Sequence, residues 1–321
     1  MEKLDVMYTT DNNYLNQLLV SISSLCDNNK DLEEITIHLI YDRFTFDDFA
    51  RVIRLVGKFR NVQLKLYNYN LIKNLVKDNK IPDWRGTSIA NARLFFEHII
   101  KDVEHLLYLD SDTIVVNSLK SLENYDAAIC MAEDEMPLEY IKSLDSDIKT
   151  YYNSGVIWIN TTKWKEKRCE ERIIDTLKER QEFTYPDQDL LNITFKDEIV
   201  TLDPSYNMYP PDIYYDNHSL RKYLNNIGVK RNQISKMDKA ANNPNILHST
   251  TFGYWRPWHE SNFIHPYEKI YRDYSRLIQH ESMQIESDHK PGNKSVYKVI
   301  NYIKLYTPKE VKDKVKRLLN K

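Results

Sequence analysis

The stretch Leu106-Leu107-Tyr108-Leu109-Asp110-Ser111-Asp112-Thr113-Ile114-Val115-Val116 limits the possible folds more than any other part of the chain. Four residues suited to a buried strand precede the first aspartate, and an apolar run follows the second. Such a pattern fits a strand whose carboxyl end emerges at the edge of a sheet. Side chains alternate faces along an extended backbone, so Asp110 and Asp112 are expected on one side and Ser111 on the other. Two converging carboxylates repel each other unless a cation lies between them. Hard oxygen ligands suit Mg²⁺ or Mn²⁺. A bare D-x-D also fits a solvated turn or a helix N-cap; the apolar strand in front of this one shifts the reading towards a metal.

The N-terminal third sets the context. Leu4-Asp5-Val6-Met7-Tyr8-Thr9 reads as a strand, and a helix follows with Leu15, Leu18, Leu19, Ile22 and Cys26 on one face. Residues 35–40 form a second strand, Thr45 caps a second helix, and residues 62–66 alternate as a third strand. This β-α-β-α-β order predicts a parallel sheet with right-handed crossovers and helices on its faces. Ligands bind such sheets at the carboxyl ends of the strands, where Asp11, Asn13 and Tyr14 join Asp110 and Asp112. Further on, helices are expected over 88–100, 162–180 and 187–195, strands over 127–131 and 155–159, and long active-site loops over 203–245. Residues 245–248 read as a short strand ending in His248.

Only six glycines occur in 321 residues, and none is close to another, so there is no glycine-rich phosphate loop. A phosphate ligand would have to be held by a cation and side chains. The three cysteines have no metal-ligand spacing, and their sparse, odd number suits a reducing compartment. No signal peptide precedes Leu4 and no apolar run reaches membrane-spanning length, so a cytoplasmic location is expected. Charge is unevenly spread. Of 45 basic and 47 acidic residues, nine and two fall in 294–321, giving that tail +7 and the remainder −9. Thr307-Pro308-Lys309-Glu310 forms a capping box, and Val311, Val315, Leu318 and Leu319 share one helix face opposite lysines. The tail reads either as a helix docked on the body or as a peripheral anchor on the anionic cytoplasmic membrane face. No nucleic-acid partner is expected.

Several separated motifs together resemble glycosyltransferase family 8. They are Asp-Asn-Asn-Tyr at 11–14, Leu-Tyr-Leu-Asp-Ser-Asp at 107–112, Tyr-Asn-Ser-Gly-Val at 152–156 and Pro-Asp-Gln-Asp at 186–189. His248 followed by Arg256-Pro257-Trp258 is similar to the family's C-terminal His…Lys-Pro-Trp element, with a longer spacing and arginine in the lysine position. The resemblance covers about residues 4–260, and its nearest branch is the bacterial lipopolysaccharide galactosyl- and glucosyltransferases.

This resemblance implies an α/β GT-A domain over 1–262, with a Rossmann-like, mixed but mainly parallel sheet carrying helices on both faces. A helical C-terminal extension, 263–321, would end in the basic tail. The implied activity is retaining, metal-dependent transfer of glucose or galactose from a UDP-sugar to a saccharide acceptor in cell-surface glycan or lipopolysaccharide-type biosynthesis. Asp110, Asp112 and His248 would hold Mn²⁺, or Mg²⁺ in its place. Thr9, Asp11, Asn13, Tyr14, Arg93, Ser111, Gly253 and Arg256 would join Asp110 and Asp112 in binding the nucleotide-sugar. In that scheme Tyr14 stacks on uracil, Asn13 meets the ribose, and Asp11 meets base or ribose. Asn153, Asp187 and Gln188 would grip the hexose, with Asp189 a candidate covalent participant. Retaining glycosidases place a carboxylate nucleophile at the anomeric carbon. The matching residue here, Gln188, is a poor nucleophile, so front-face transfer through a short-lived oxocarbenium–UDP ion pair is expected. The alternatives are a nucleotidyltransferase making sugar nucleotides, or an inactive UDP-sugar-binding protein acting by interaction.

Overall fold

A computed structural model describes residues 1–83, 86–180, 182–215, 217–226, 228, 234–250, 256–259 and 265–278. Gly253 and the basic tail 294–321 lie outside the described residues, and of the extension 263–321 only residues 265–278 are described.

Nine strands are described: β1 (Lys3–Asp11), β2 (Glu34–Asp42), β3 (Val62–Asn68), β4 (His105–Leu109), β5 (Thr113–Val115), β6 (Cys130–Glu133), β7 (Tyr152–Asn160), β8 (Val200–Thr201) and β9 (Ile246–His248). Seven make one sheet in the order β3-β2-β1-β4-β7-β6-β8, and β5 pairs with β9 in a separate ribbon. Strands β3 to β4 are mutually parallel; β7 runs antiparallel to β4 and to β6, and β8 is parallel to β6. The sheet is therefore mixed and mainly parallel, as the β-α-β-α-β opening predicts.

Its central strands are apolar on both faces because both faces are covered. Leu4, Val6 and Tyr8 pack with Leu107, Leu109 and Trp158 on one side, while Met7 packs with Leu106, Tyr108 and Ile157 on the other. Burying each such aliphatic side chain contributes about 1.5–3 kcal/mol. The helix Leu15–Asp27 lies between the sheet and an outer layer formed by β5 and the helix Glu268–Ile278, so it is buried far beyond one stripe. Thr45 caps the helix Phe46–Val56 in a reciprocal box with Asp48.

Three expected elements differ. The helix expected over 162–180 is two helices, Thr161–Glu166 and Cys169–Glu179, broken where Arg168 turns into the left-handed region at φ 50°. Segment 88–100 is a kinked run of 3-10 turns over Ile89–His98. Leu94, Phe95 and Phe96 are consecutive and all buried, which a single helical stripe does not permit. The third difference is at 203–245, expected as loops. It carries short helices (Pro210–Tyr214, Asn217–Asn226, Met237–Asn242) around an apolar cluster of Met208, Leu220, Leu224, Met237 and Trp258. Helices of five to ten residues span too few turns to show a clear 3.6-residue period in sequence.

Candidate active site

The site begins where the chain leaves the main sheet. Strand β4 stops at Leu109, and Asp110, Ser111 and Asp112 form a turn into β5, closed by Thr113 N–H donating to Asp110 O at 3.1 Å. The Thr113 hydroxyl donates to the same carbonyl at 2.8 Å. The two aspartates thus converge because a turn folds them together, not because of the strand pleat that the sequence suggested. The β5–β9 ribbon then supplies the third residue. Its register pairs Thr113 with His248, and Ser249 N–H donates to Asp112 O at 2.8 Å, so the imidazole is delivered beside the turn.

Donor atoms of Asp110, Asp112 and His248 all lie within 4.8 Å of one another. His248 Nε2 is 3.3 Å from Asp112 Oδ1 and 3.7 Å from Asp110 Oδ2. The second oxygen of each carboxylate is already engaged. Asp110 Oδ1 accepts from the Tyr108 hydroxyl at 2.6 Å and pairs with Arg93 Nη2 at 3.0 Å, while Asp112 Oδ2 pairs with Arg256 Nη1 at 2.6 Å. At the far side of the imidazole, His248 Nδ1 is 3.0 Å from Asn207 Oδ1. Since that oxygen only accepts, Nδ1 carries a proton, and in the neutral ring Nε2 presents its lone pair between the carboxylates. Two oxygens and one nitrogen, each fixed from behind, form a donor set that fits a divalent cation such as Mn²⁺.

Gly155 leaves room for this arrangement. A β-carbon there would sit 2.3 Å from His248 Cε1 and 2.8 Å from Asp110 Oδ2. Burial opposes charge on both Asp112 and His248. Attraction to His248 and Arg256 nevertheless holds the Asp112 carboxyl below the usual carboxylate range, and the two aspartates raise the imidazole above its ordinary value.

Beside this cluster opens a cavity of about 690 Å³. Its lining includes Thr9, Asp11, Asn13 and Tyr14, Arg93, Ser111 and Arg256 with Asp110, Asp112 and His248, and Asn153, Asp187 and Gln188. Of the site residues expected from sequence that fall among the described residues, only Asp189 is absent from this lining. It is fully buried behind the cavity, where it accepts hydrogen bonds from the Tyr140 and Tyr151 hydroxyls and from the backbone of Thr184 and Tyr185. That places it as an anchor for the helix Pro186–Thr194, which aims its neighbours Asp187 and Gln188 into the cavity.

Arg93 is the electrostatic hub. Its guanidinium stacks 4.0 Å from the centre of the Tyr108 ring, pairs with Asp110, and lies 3.3 Å from Asp187 Oδ2. Burial works against its charge, but those two carboxylates raise its basicity further and keep it a cation. Its contact with Asp187 Oδ2 lacks hydrogen-bond alignment, leaving that buried oxygen with no hydrogen-bond partner and able to accept one from a ligand hydroxyl.

Sequence reasoning missed three residues. Arg43, in the cavity lining, pairs with Asp11 and has a left-handed backbone at φ 57°. Asp134, just past β6, accepts from both Gln188 Nε2 (2.8 Å) and Asn153 Nδ2 (3.1 Å). Asn207 holds His248. None sits in a motif, and each is joined to its partner only by tertiary contact.

The model of the family described as Glycosyl transferase family 8 matches residues 5–262. A lipopolysaccharide 1,2-glucosyltransferase of Escherichia coli is 29% identical over 217 residues, covering 64% of this chain and 62% of that protein. Lipopolysaccharide glucosyltransferase WaaO of Escherichia coli K12 is 24% identical over 287 residues, covering 84% of this chain and 77% of WaaO. Among solved structures, galactosyltransferase LgtC in complex with donor and acceptor sugar analogs superimposes with a TM-score of 0.66 at 22% identity, covering 87% of this chain and 98% of LgtC. The likeness to LgtC covers most of both chains and identifies the same fold.

Proposed function

The chain belongs to glycosyl transferase family 8, and on that premise we propose that it transfers glucose or galactose from a UDP-sugar to a saccharide acceptor, with retention of anomeric configuration and with a divalent cation, Mn²⁺ by preference. The observation that carries this reading is the convergence of Asp110, Asp112 and His248 in the lining of the cavity, with the remaining polar atoms of the cluster already engaged. When bound there, the cation offsets the negative charge of a diphosphate leaving group as a Lewis acid. The glucosyltransferase relatives support a hexose donor and an acceptor of the lipopolysaccharide type.

The chain's own residues divide the remaining work. Tyr14, partly exposed in the cavity lining, offers a ring for the base, and Asp11 with Asn13 offers acceptors and donors for base and ribose. Arg256 contributes positive charge on the diphosphate side, and the bidentate fork of arginine serves phosphate as well as lysine does. Asp187 Oδ2 accepts a sugar hydroxyl. Gln188 has its amide locked by four neighbours (Ser154 N–H, Asn153, Asp134 and the Tyr151 hydroxyl) and presents a fixed dipole towards the anomeric carbon. An amide in that place favours front-face departure and attack over a covalent adduct. The departing phosphate then takes the proton of the acceptor hydroxyl. Asp189, turned away from the cavity, acts in this reading through the helix it anchors.

UDP release from UDP-glucose and UDP-galactose, with and without Mn²⁺, in the intact protein and in Asp112→Asn, tests this reading. Release that needs Mn²⁺ and is lost in the variant is expected; release indifferent to both would overturn it. A nucleotidyltransferase would instead consume NTP and sugar phosphate, and an inactive binder would be stabilised by a UDP-sugar yet release nothing. Among the described residues no helix is long and apolar enough to cross a membrane. The basic tail, by its sequence, supports peripheral association with anionic lipid. Co-sedimentation with phosphatidylglycerol vesicles should fall when 294–321 is deleted, and unchanged pelleting removes that part of the reading.

A further inference from the structure

A chain of side-chain amides runs from Asp134 to the imidazole of His248, and its hydrogen bonds all point one way. Asn153 Nδ2 donates to Asp134 Oδ2 at 3.1 Å, Asn207 Nδ2 donates to Asn153 Oδ1 at 2.9 Å, and Asn207 Oδ1 faces His248 Nδ1 at 3.0 Å. Gln188 joins the same end, with Nε2 donating to Asp134 Oδ2 at 2.8 Å and Oε1 accepting from Asn153 Nδ2 at 2.9 Å.

An isolated amide can be flipped, exchanging donor and acceptor. These cannot, because fixed groups set each one. An ionised carboxylate only accepts, so Asp134 Oδ2 must receive N–H groups from both Asn153 and Gln188. Backbone donors confirm the outcome: Gly155 N–H donates to Asn153 Oδ1 at 2.9 Å, and Ser154 N–H donates to Gln188 Oε1 at 3.1 Å. With Asn153 Oδ1 turned towards Asn207, the Asn207 amide must present its N–H to that oxygen and its own oxygen to His248. An oxygen facing Nδ1 requires the proton there, which in the neutral ring leaves Nε2 bare and directed at Asp110 and Asp112. Asn153 is part-buried, while Asn207 and His248 are fully or almost fully buried, so water is poorly placed to substitute along the line.

We propose that Asp134 and Asn207 are positioning residues that fix the tautomer of His248, so that one polarised chain both prepares the imidazole as a metal ligand and locks the Gln188 amide. The proposal rests on the metal-dependent reading of the site given above. It adds that a carboxylate touching none of the three candidate metal ligands, three hydrogen bonds from the imidazole, decides which ring nitrogen faces them. Partners of a metal-ligating histidine of this kind typically account for 10- to 100-fold in metal affinity.

Two measurements on the full chain test it. The first is ¹⁵N NMR of the His248 ring in metal-free protein, with the ring neutral. The intact protein should show the Nδ1–H form, Asn207→Leu and Asp134→Leu should show a mixture or the other form, and Asn207→Asp, which keeps an acceptor on Nδ1, should restore Nδ1–H. The second is Mn²⁺ affinity, from electron paramagnetic resonance of the free ion. Asn207→Leu should bind about 10- to 100-fold more weakly, and Asn207→Asp should bind within a few-fold of the intact protein. In the Asn207→Asp background, adding Asp134→Leu should change the affinity little, because the chain is already cut. An Nδ1–H tautomer that persists in both Asn207→Leu and Asp134→Leu overturns the proposal, as does a full additional loss on adding Asp134→Leu to Asn207→Asp. Intact protein that binds no Mn²⁺ yet shows the expected tautomer pattern would sink the metal-dependent reading and leave the hydrogen-bond chain standing.

Discussion

Gly155 and His248 are so close that no side chain fits between them: a β-carbon on Gly155 would lie 2.3 Å from His248 Cε1. The glycine is needed for close approach, with Asp110 Oδ2 crowding the same position at 2.8 Å. His248 has little freedom to retreat, since Asn207 holds one ring edge and the Tyr209 ring lies 5.9 Å away, centre to centre.

Gly155→Ala should therefore separate the imidazole from the aspartates. Mn²⁺ affinity is expected to fall at least about tenfold, and overpacking should cost about 1–3 kcal/mol of stability. Calorimetric titration with Mn²⁺ and a urea melt measure the two effects; unaltered Mn²⁺ binding would count against the placement of the site.

Arg256 and a cation compete for Asp112. The Arg256 guanidinium pairs with Asp112 Oδ2 at 2.6 Å and contributes positive charge beside the cluster. Arg256→Ala should bind Mn²⁺ several-fold more tightly than the intact protein, because a like charge is removed. The same variant should bind UDP in saturating Mn²⁺ about tenfold or more weakly, having lost a phosphate partner. Opposite signs in two titrations of one variant are the expected outcome, and parallel losses would assign Arg256 a purely structural role.

Acid should weaken metal binding through His248. Burial works against its protonation, but Asp112 and Asp110 hold its basicity above the ordinary histidine value, so the metal-free ring keeps its proton to higher pH. Metal binding requires the neutral ring and releases that proton. Below the raised value, Mn²⁺ affinity should drop about tenfold per pH unit, and above it should level off. Asp112, which His248 and Arg256 hold below the usual carboxylate range against its burial, stays ionised throughout and adds no slope. An Mn²⁺ dissociation constant that is flat between about pH 5.5 and 8 would contradict this.

Gln188 and Asp189 are adjacent in sequence but are assigned different work. Gln188→Ala removes a fixed dipole from the cavity, so kcat should fall about 10²-fold or more with little change in melting temperature. Asp189→Asn leaves the Tyr140, Tyr151 and backbone donors around a neutral amide, and should cost about 2–4 kcal/mol of stability. For the protein that remains folded, kcat should fall far less than in Gln188→Ala. A glycosyl adduct trapped on Asp189 of the intact protein would reverse these assignments.

Much of the fold was legible along the chain. The apolar runs of β1, β2 and β4 need both sheet faces covered, and their order with the intervening helices leaves few topologies. The paired aspartates, and with them the side of the sheet that carries the site, were visible because charge interrupting a buried run is conspicuous. The helices inside 203–245 were not legible, since each is too short to display a period and their apolar residues face one another across the segment.

By itself the sequence determined which residue types could do the chemistry and roughly where along the sheet they emerge. Only the tertiary structure decided how they meet. Pairing of β5 with β9 sets His248 beside Asp112, 136 positions earlier in the chain, and Gly155 within β7 makes the approach sterically possible. The tertiary structure also drew Asp134, Asn153 and Asn207 into one hydrogen-bonded line, and it turned Asp189 away from the cavity beside Gln188. Periodicity reports which face of an element is buried. The direction of a hydrogen bond between side chains dozens of residues apart depends on every fixed donor and acceptor around them, and no local pattern in the chain encodes that.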